Sequence, residues 1–210
     1  MISLSEILHT IAQALMIPCL IILIILMAGA VWQIGDIVVE YIAERRKHKC
    51  NVPQLLRDVH AAGADGLAEL IENSGLLRRQ KKALLELAES RGLPKDTLTA
   101  LAERLLATEE ARNARTTSVT DMIAKLGPMF GLLGTLIPLG PGIVALGQGD
   151  TVTLSESMNV AFDTTIAGVI SAAAASVISH IRKRWYNDDM VSLETLMEAV
   201  LEEVTSDVEG

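Results

Sequence analysis

Apolar and polar positions separate into long blocks along the 210-residue chain. Thr10 to Gly35 contains no charged residue, Leu126 to Gly149 contains none, and Asn159 to Ile181 carries only Asp163 and, near its end, His180. A helix rises about 1.5 Å per residue, so each block can cross a hydrocarbon core of about 30 Å. Three transmembrane helices are predicted. Between the first and second, the apolar positions change to a helical period. "PQLLRDVHAA" follows Asn51, a capping residue type, with Pro53 in the first turn. "DGLAELIENSG" ends in an Asn-Ser-Gly stop, and "LLRRQKKALLELAESRG" closes at Gly92. The next stretch, from Leu93, meets no breaker before Gly127 and sets Leu98, Leu101, Leu105 and Leu106 on one side. It is expected to continue into the second span as one helix longer than the bilayer is thick. After the third span, Leu193, Leu196, Met197, Val200, Leu201 and Val204 mark the apolar face of an acidic amphipathic helix. That tail is expected to pack on the helical segment between spans one and two, with docking of a partner as the alternative. The predicted fold class is an all-α integral membrane protein with three transmembrane helices and a helical cytoplasmic domain.

Charge placement orients this arrangement. All 18 Lys and Arg lie either between Arg45 and Lys125 or in Arg182-Lys183-Arg184. Basic flanks stay cytoplasmic, so the amino terminus and the loop "GQGDTVTLSES" face outside, and the middle segment and tail face the cytoplasm. The expected segments are 1–13 outside, 14–43 as the first span, 44–125 as the cytoplasmic domain and 126–147 as the second span. An external loop at 148–156, a third span at 157–181 and a cytoplasmic helix at 182–210 complete the chain. A cleaved signal peptide would need a basic start, whereas Met1 to Gln13 carries Glu6 and no Lys or Arg. The expected location is the cell (cytoplasmic) membrane.

Candidate chemistry is sparse. Cys19 lies within a span and Cys50 in the cytoplasmic segment, and His9, His48, His60 and His180 are scattered, so neither a disulfide nor a metal site is indicated. P-loop, Rossmann and nucleophile-elbow patterns are absent. No enzyme and no cofactor are expected. The basic runs "ERRKHK" (44–49) and "RRQKK" (78–82) read as topology signal and solvated helix surface, and a net charge of −8 argues against nucleic acid. Trp185 and Tyr186 read as an anchor at the inner interface.

The second and third spans carry small residues where lipid-facing helices usually carry large ones. Gly127, Gly131 and Gly134 form a ridge at three- and four-residue spacing, and Pro138 and Pro141 would kink the outer half of that helix. In the third span Ala161, Thr165, Gly168, Ala172, Ala175 and Ser179 share a face. Such stripes serve close helix packing or the lining of a pore. On a three-helix monomer they would be left facing lipid, which a ring of copies would prevent. Asp150 lies fifteen residues after Thr135 and fifteen before Thr165, so an antiparallel hairpin puts both hydroxyls at similar depth, with Thr164 and Asp163 beside them. No Lys or Arg lies in any span. Asp163 must therefore be protonated, hydrated, matched by another subunit, or held near outer water.

"GPMFGLLGTLIPL" (127–139) resembles the signature of the MotA/TolQ/ExbB family of proton-channel subunits, and "AFDTTIAGVISAAAAS" (161–176) is similar to its small-residue third span. The three-span layout is that of the TolQ/ExbB type, and the resemblance runs from about Arg112 to Val204. It implies a homopentamer whose second and third spans line a pore around single-span ExbD/TolR/MotB-like partners, each bearing a membrane aspartate. Ion flow would then drive mechanical work. By motif, Thr135 and Thr165 become pore hydroxyls, with Asp163, Thr164, Gly131, Gly134, Ala161, Gly168 and Ala172 along the ion pathway. The chain departs from the family where a Glu commonly stands five residues before the third-span Thr, since it has Val160 there, and where a Pro is common it has Ala174. The transported ion is accordingly H⁺ or Na⁺. The rival readings are a non-conducting helical scaffold or adaptor and a transporter half, the latter without the inverted repeat it would need.

Overall fold

A computed structural model describes residues 4–45 and 51–209. Among them there are helices and no strands: α1 (Leu4–Ala14), α2 (Met16–Glu40), a π-helical turn (Tyr41–Arg45), α3 (Val52–Asn73), α4 (Arg78–Glu89), α5 (Lys95–Gly147) and α6 (Thr151–Glu209). Three stretches, Glu6–Ala43, Lys95–Gly147 and Thr151–Ser206, are long and apolar enough to cross a membrane. Most of the basic run at 44–49, together with His48 and Cys50, lies outside the described residues.

The breaks between helices have local causes. Pro18 lacks an N–H, and its ring would crowd the carbonyl of Ala14, four residues back. The α-helix is interrupted at Leu15, one residue later. Gly63 sits at φ 61° inside α3 and bends it, a conformation that side-chain-bearing residues rarely adopt. Asn51 occupies the N-cap of α3, but its side chain makes no capping bond. At the start of α4, the Gln80 carboxamide accepts from the Leu77 N–H at 3.2 Å.

The turn between α5 and α6 is shorter than the sequence suggests. The expected loop at 148–156 is helical from Thr151 onward. Gly149 takes φ 76°, and the Asp150 carboxylate accepts from the N–H groups of Val152 and Thr153, both at 3.1 Å, and from the Thr153 hydroxyl. These bonds satisfy orphan donors at the start of α6. They also hold the Asp150 carboxyl below its usual range, the Thr153 hydroxyl being the main cause.

The chain divides into two compact units. The first comprises Met1–Asp36 and Thr117–Ile181. Its small core joins Leu26 and Ala30 of α2 to Ile123 of α5 and Ala175 of α6, with Ile22, Leu126 and Phe130 packed around them. Many large apolar side chains of the unit are exposed, among them Ile24, Ile25, Leu132, Leu136, Ile166 and Ile170. Such a surface suits lipid and not water.

The second unit comprises Ile37–Thr116 and Arg182–Gly210. It has an ordinary aliphatic core, in which Leu67, Leu87 and Leu98 meet Leu193, Leu196, Met197 and Val200. The tail of α6 thus shares one core with α3, α4 and the first half of α5, as its apolar periodicity predicts. α5 has 53 residues and α6 has 59, about 80 and 90 Å at ~1.5 Å per residue. α5 stays helical through Pro128, Pro138 and Pro141.

Candidate functional site

The small residues of α5 and α6 meet each other within one copy of the chain. A Cβ added at Gly127 would stand 2.7 Å from the Gly168 carbonyl oxygen and 3.0 Å from Ala172 Cβ. One at Gly134 would stand 2.6 Å from Thr164 Cβ, and one at Gly168 only 2.9 Å from Gly131 Cα. Toward the turn, a Cβ at Gly142 would reach Ser157 at 3.1 Å. As α5 advances from Gly127 to Gly142 its partners fall back from Ala172 to Ser157, so the two helices run antiparallel. Their backbones approach more closely than side chains would permit, and for this reason glycine recurs on this face.

The nine residues singled out from the sequence fall into three groups. Gly131, Gly134, Ala161, Thr164, Gly168 and Ala172 are buried in the α5/α6 contact. Thr135 and Thr165 are half-buried at its edge. Asp163 is exposed. The stripes therefore cover each other in a single copy and do not call for a ring to hide them, contrary to the expectation from sequence. The reason is register: an even three- and four-residue spacing on both helices lets the two ridges close on one another.

Register also decides which way the edge residues point. Gly134 faces Thr164. One residue on, each helix has turned by about 100°, and because the helices run in opposite directions the two turns carry Thr135 and Thr165 to the same side of the pair. One residue back, Asp163 is carried to the other side. The two threonines also lie at nearly the same level, since each directly follows a member of one touching pair.

Each threonine hydroxyl proton is already engaged. Thr135 donates to the Leu132 carbonyl at 2.6 Å, Thr165 to the Ala161 carbonyl at 3.0 Å, and Thr164 to the carbonyls of Val160 and Ala161, each at 2.9 Å. Bonds of this kind, to carbonyls three or four residues earlier, are the usual resting place of hydroxyls on helices. What Thr135 and Thr165 present outward is the lone-pair side of an oxygen, which can accept a proton from a neighbour.

Two further polar arrangements were not legible from sequence spacing. In the first unit, the Ser179 hydroxyl donates to Asp121, near the fully buried Thr120, whose hydroxyl has no partner among the described residues. In the second unit, Arg182 is 1% exposed and its Nε donates to Glu40 at 3.1 Å. Tyr41 stacks on Trp185 with ring centroids 6.1 Å apart. Burial, then the Glu40 charge and hydrogen bond, push the Tyr186 phenol up to about 12. Arg182 therefore belongs to a buried ion pair, Tyr186 lies against the end of α2, and Trp185 stacks on the π-helical turn that follows it. The signal was the charge of Glu40 a few residues beyond an apolar block, but its partner stands 142 residues away.

An all-helical chain with three membrane-length helices, a lipid-suited surface and a glycine-mediated hairpin is an all-α membrane protein. The model of the MotA/TolQ/ExbB proton channel family matches residues 70–195, well over half of the chain, and the chain belongs to that family. The match begins before α4, further toward the amino end than the resemblance at Arg112, and stops short of Val204. No curated protein matches the chain significantly.

Proposed function

We propose that this chain is the ring-forming subunit of an energy-transducing channel driven by an ion gradient across the cell membrane, with its amino terminus outside and its tail in the cytoplasm. Several copies, five by analogy with the family, surround a single-span ExbD/TolR/MotB-like partner that bears a carboxylic acid at membrane depth. The observation that carries this reading is the pair Thr135 and Thr165, which emerge at one level on one side of the α5/α6 contact with their protons already donated. A protonated partner carboxyl can donate to either oxygen, release its proton on the low-potential side, and so exchange ions without a fixed charge on the ring. The ion is H⁺, with Na⁺ as the alternative that the same oxygens could ligate. Work on the partner follows from its stepwise attraction to successive copies.

The six residues closed within the hairpin hold the two hydroxyls in place and do not face the path. Asp163 lies on the opposite flank and is left out of it. Proton uptake by vesicles holding the chain with its single-span partner tests the assignment. Thr135→Val and Thr165→Val should each lower the rate by about tenfold, the loss of about 1.4 kcal/mol from one hydrogen bond. Asp163→Asn should leave it within about twofold. Unchanged flux in both threonine variants would favour a packing scaffold, the reading to which the buried glycine ridge alone would lead.

A further inference from the structure

The second unit carries two charged surfaces of opposite sign, most of whose charges have no ion-pair partner among the described residues. A groove of about 720 Å³ runs between α4 and the first half of α5, and Arg79, Lys82, Arg104, Arg112 and Arg115 line it, against the carboxylates Glu86 and Glu109. Of these cations Arg112 reaches Glu109 at 3.3 Å, whereas Lys82, Arg104 and Arg115 have no ion-pair partner among the described residues. Arg104, Thr108, Arg112 and Arg115 recur every three or four residues, which makes one continuous stripe along α5. A cationic groove is unexpected in a chain of net charge −8.

The opposite sign is found on α6. Glu194, Glu198 and Glu202 recur every fourth residue, all are exposed, and none has an ion-pair partner among the described residues. The other side of the same turns is the core face made by Leu193, Leu196, Met197 and Val200. This acidic stripe spans about 12 Å, the same length as the step from Arg104 to Arg112, at ~1.5 Å per residue. Neither stripe satisfies the other within one copy.

We infer that the acidic stripe of α6 in one copy docks into the α4/α5 groove of the next, in a head-to-tail contact that repeats around a ring. This rests on the proposed homo-oligomer, and adds to it the cytoplasmic surface that joins the copies. A head-to-tail contact uses two different faces of each subunit, and the chain has both. Fields of opposite sign fix partner orientation and suppress wrong pairings. The groove's own Glu86 and Glu109 disfavour a long polyanion such as nucleic acid, while leaving room for an acidic helix face that inserts between the cations.

Two differently tagged full-length chains, each with Cys50→Ser, are co-expressed, one carrying Arg104→Cys and the other Glu194→Cys, and treated with a short thiol-to-thiol linker in the membrane. A product joining the two tags is expected, while Arg104→Cys paired with Asp58→Cys on α3 gives none. Lys82→Glu with Arg115→Glu in the first chain should abolish the product, and adding Glu198→Lys with Glu202→Lys in the second should restore it. A native mass showing a multimer without that product overturns the contact and leaves the ring reading standing; a monomer overturns both. If inorganic triphosphate protects the groove cysteine while the mixed-tag product never forms, the groove is a small-anion site, and the contact is likewise overturned.

Discussion

Single atoms decide the most at the α5/α6 contact and at the buried end of α2. Gly134→Ala would place a methyl 2.6 Å from Thr164 Cβ, whereas nothing stands within 4 Å of a Cβ at Gly140. Overpacking of this kind typically costs about 1–3 kcal/mol, so Gly134→Ala should lower the midpoint of thermal unfolding in detergent by several degrees, and Gly140→Ala should leave it nearly unchanged. Tyr186 gives a pH-dependent counterpart. Its folded pKa of about 12 lies above the 10.0 of an ordinary phenol, so the neutral form is favoured in the folded state. The stabilisation is whole below pH 10 and fades as pH rises toward 12. In Tyr186→Phe the alkaline loss of stability should start from a lower level and be shallower across that window, as measured by denaturant unfolding at stepped pH. The small residues were legible as signs of close approach because no other side chains permit it. What they approach was not legible, since that depends on register between two helices, and a shift of one residue would have put Thr165 into the contact in place of Thr164.

At the scale of elements, the breakers were mostly written in the chain. Gly63 and Gly92 adopt φ values of 61° and 96°, and Gly149 one of 76°, so three bends coincide with residues able to make them. The interruption at Leu15 is also explained by a residue in plain view, Pro18, yet it was hidden inside an unbroken apolar run that reads as one span. Pro18→Ala should supply the missing donor to the Ala14 carbonyl and join α1 to α2, visible as a protected amide at position 18. The turn between α5 and α6 was overestimated because Thr, Ser and Glu at 151–156 look like loop, whereas Asp150 satisfies the first N–H groups and lets α6 begin early. The tie between α2 and α6 had no sequence signal beyond the charges themselves. Breaking one side of a buried pair leaves the other charge stranded, at a cost of about 3–5 kcal/mol. Glu40→Ala should therefore destabilise the protein by about that much, and Glu40→Ala with Arg182→Met by clearly less, a difference that a double-mutant cycle in denaturant would read.

For the molecule as a whole, the division into two units matches two different solvents. One unit is held by a few close backbone contacts and exposes leucine and isoleucine, and the other has a conventional core with charged surroundings. Family membership was legible because the glycine-rich signature lies on the unit where packing leaves least freedom, and the match extends through α4 to residue 195. The commitment of both threonine protons to main-chain carbonyls has a consequence for the sign of what can pass. A halide needs donors to replace its hydration, and these two oxygens have none left to give. In the proposed channel chloride should then be excluded at any gradient, although neither threonine bears a negative charge, and the reversal potential should ignore its concentration.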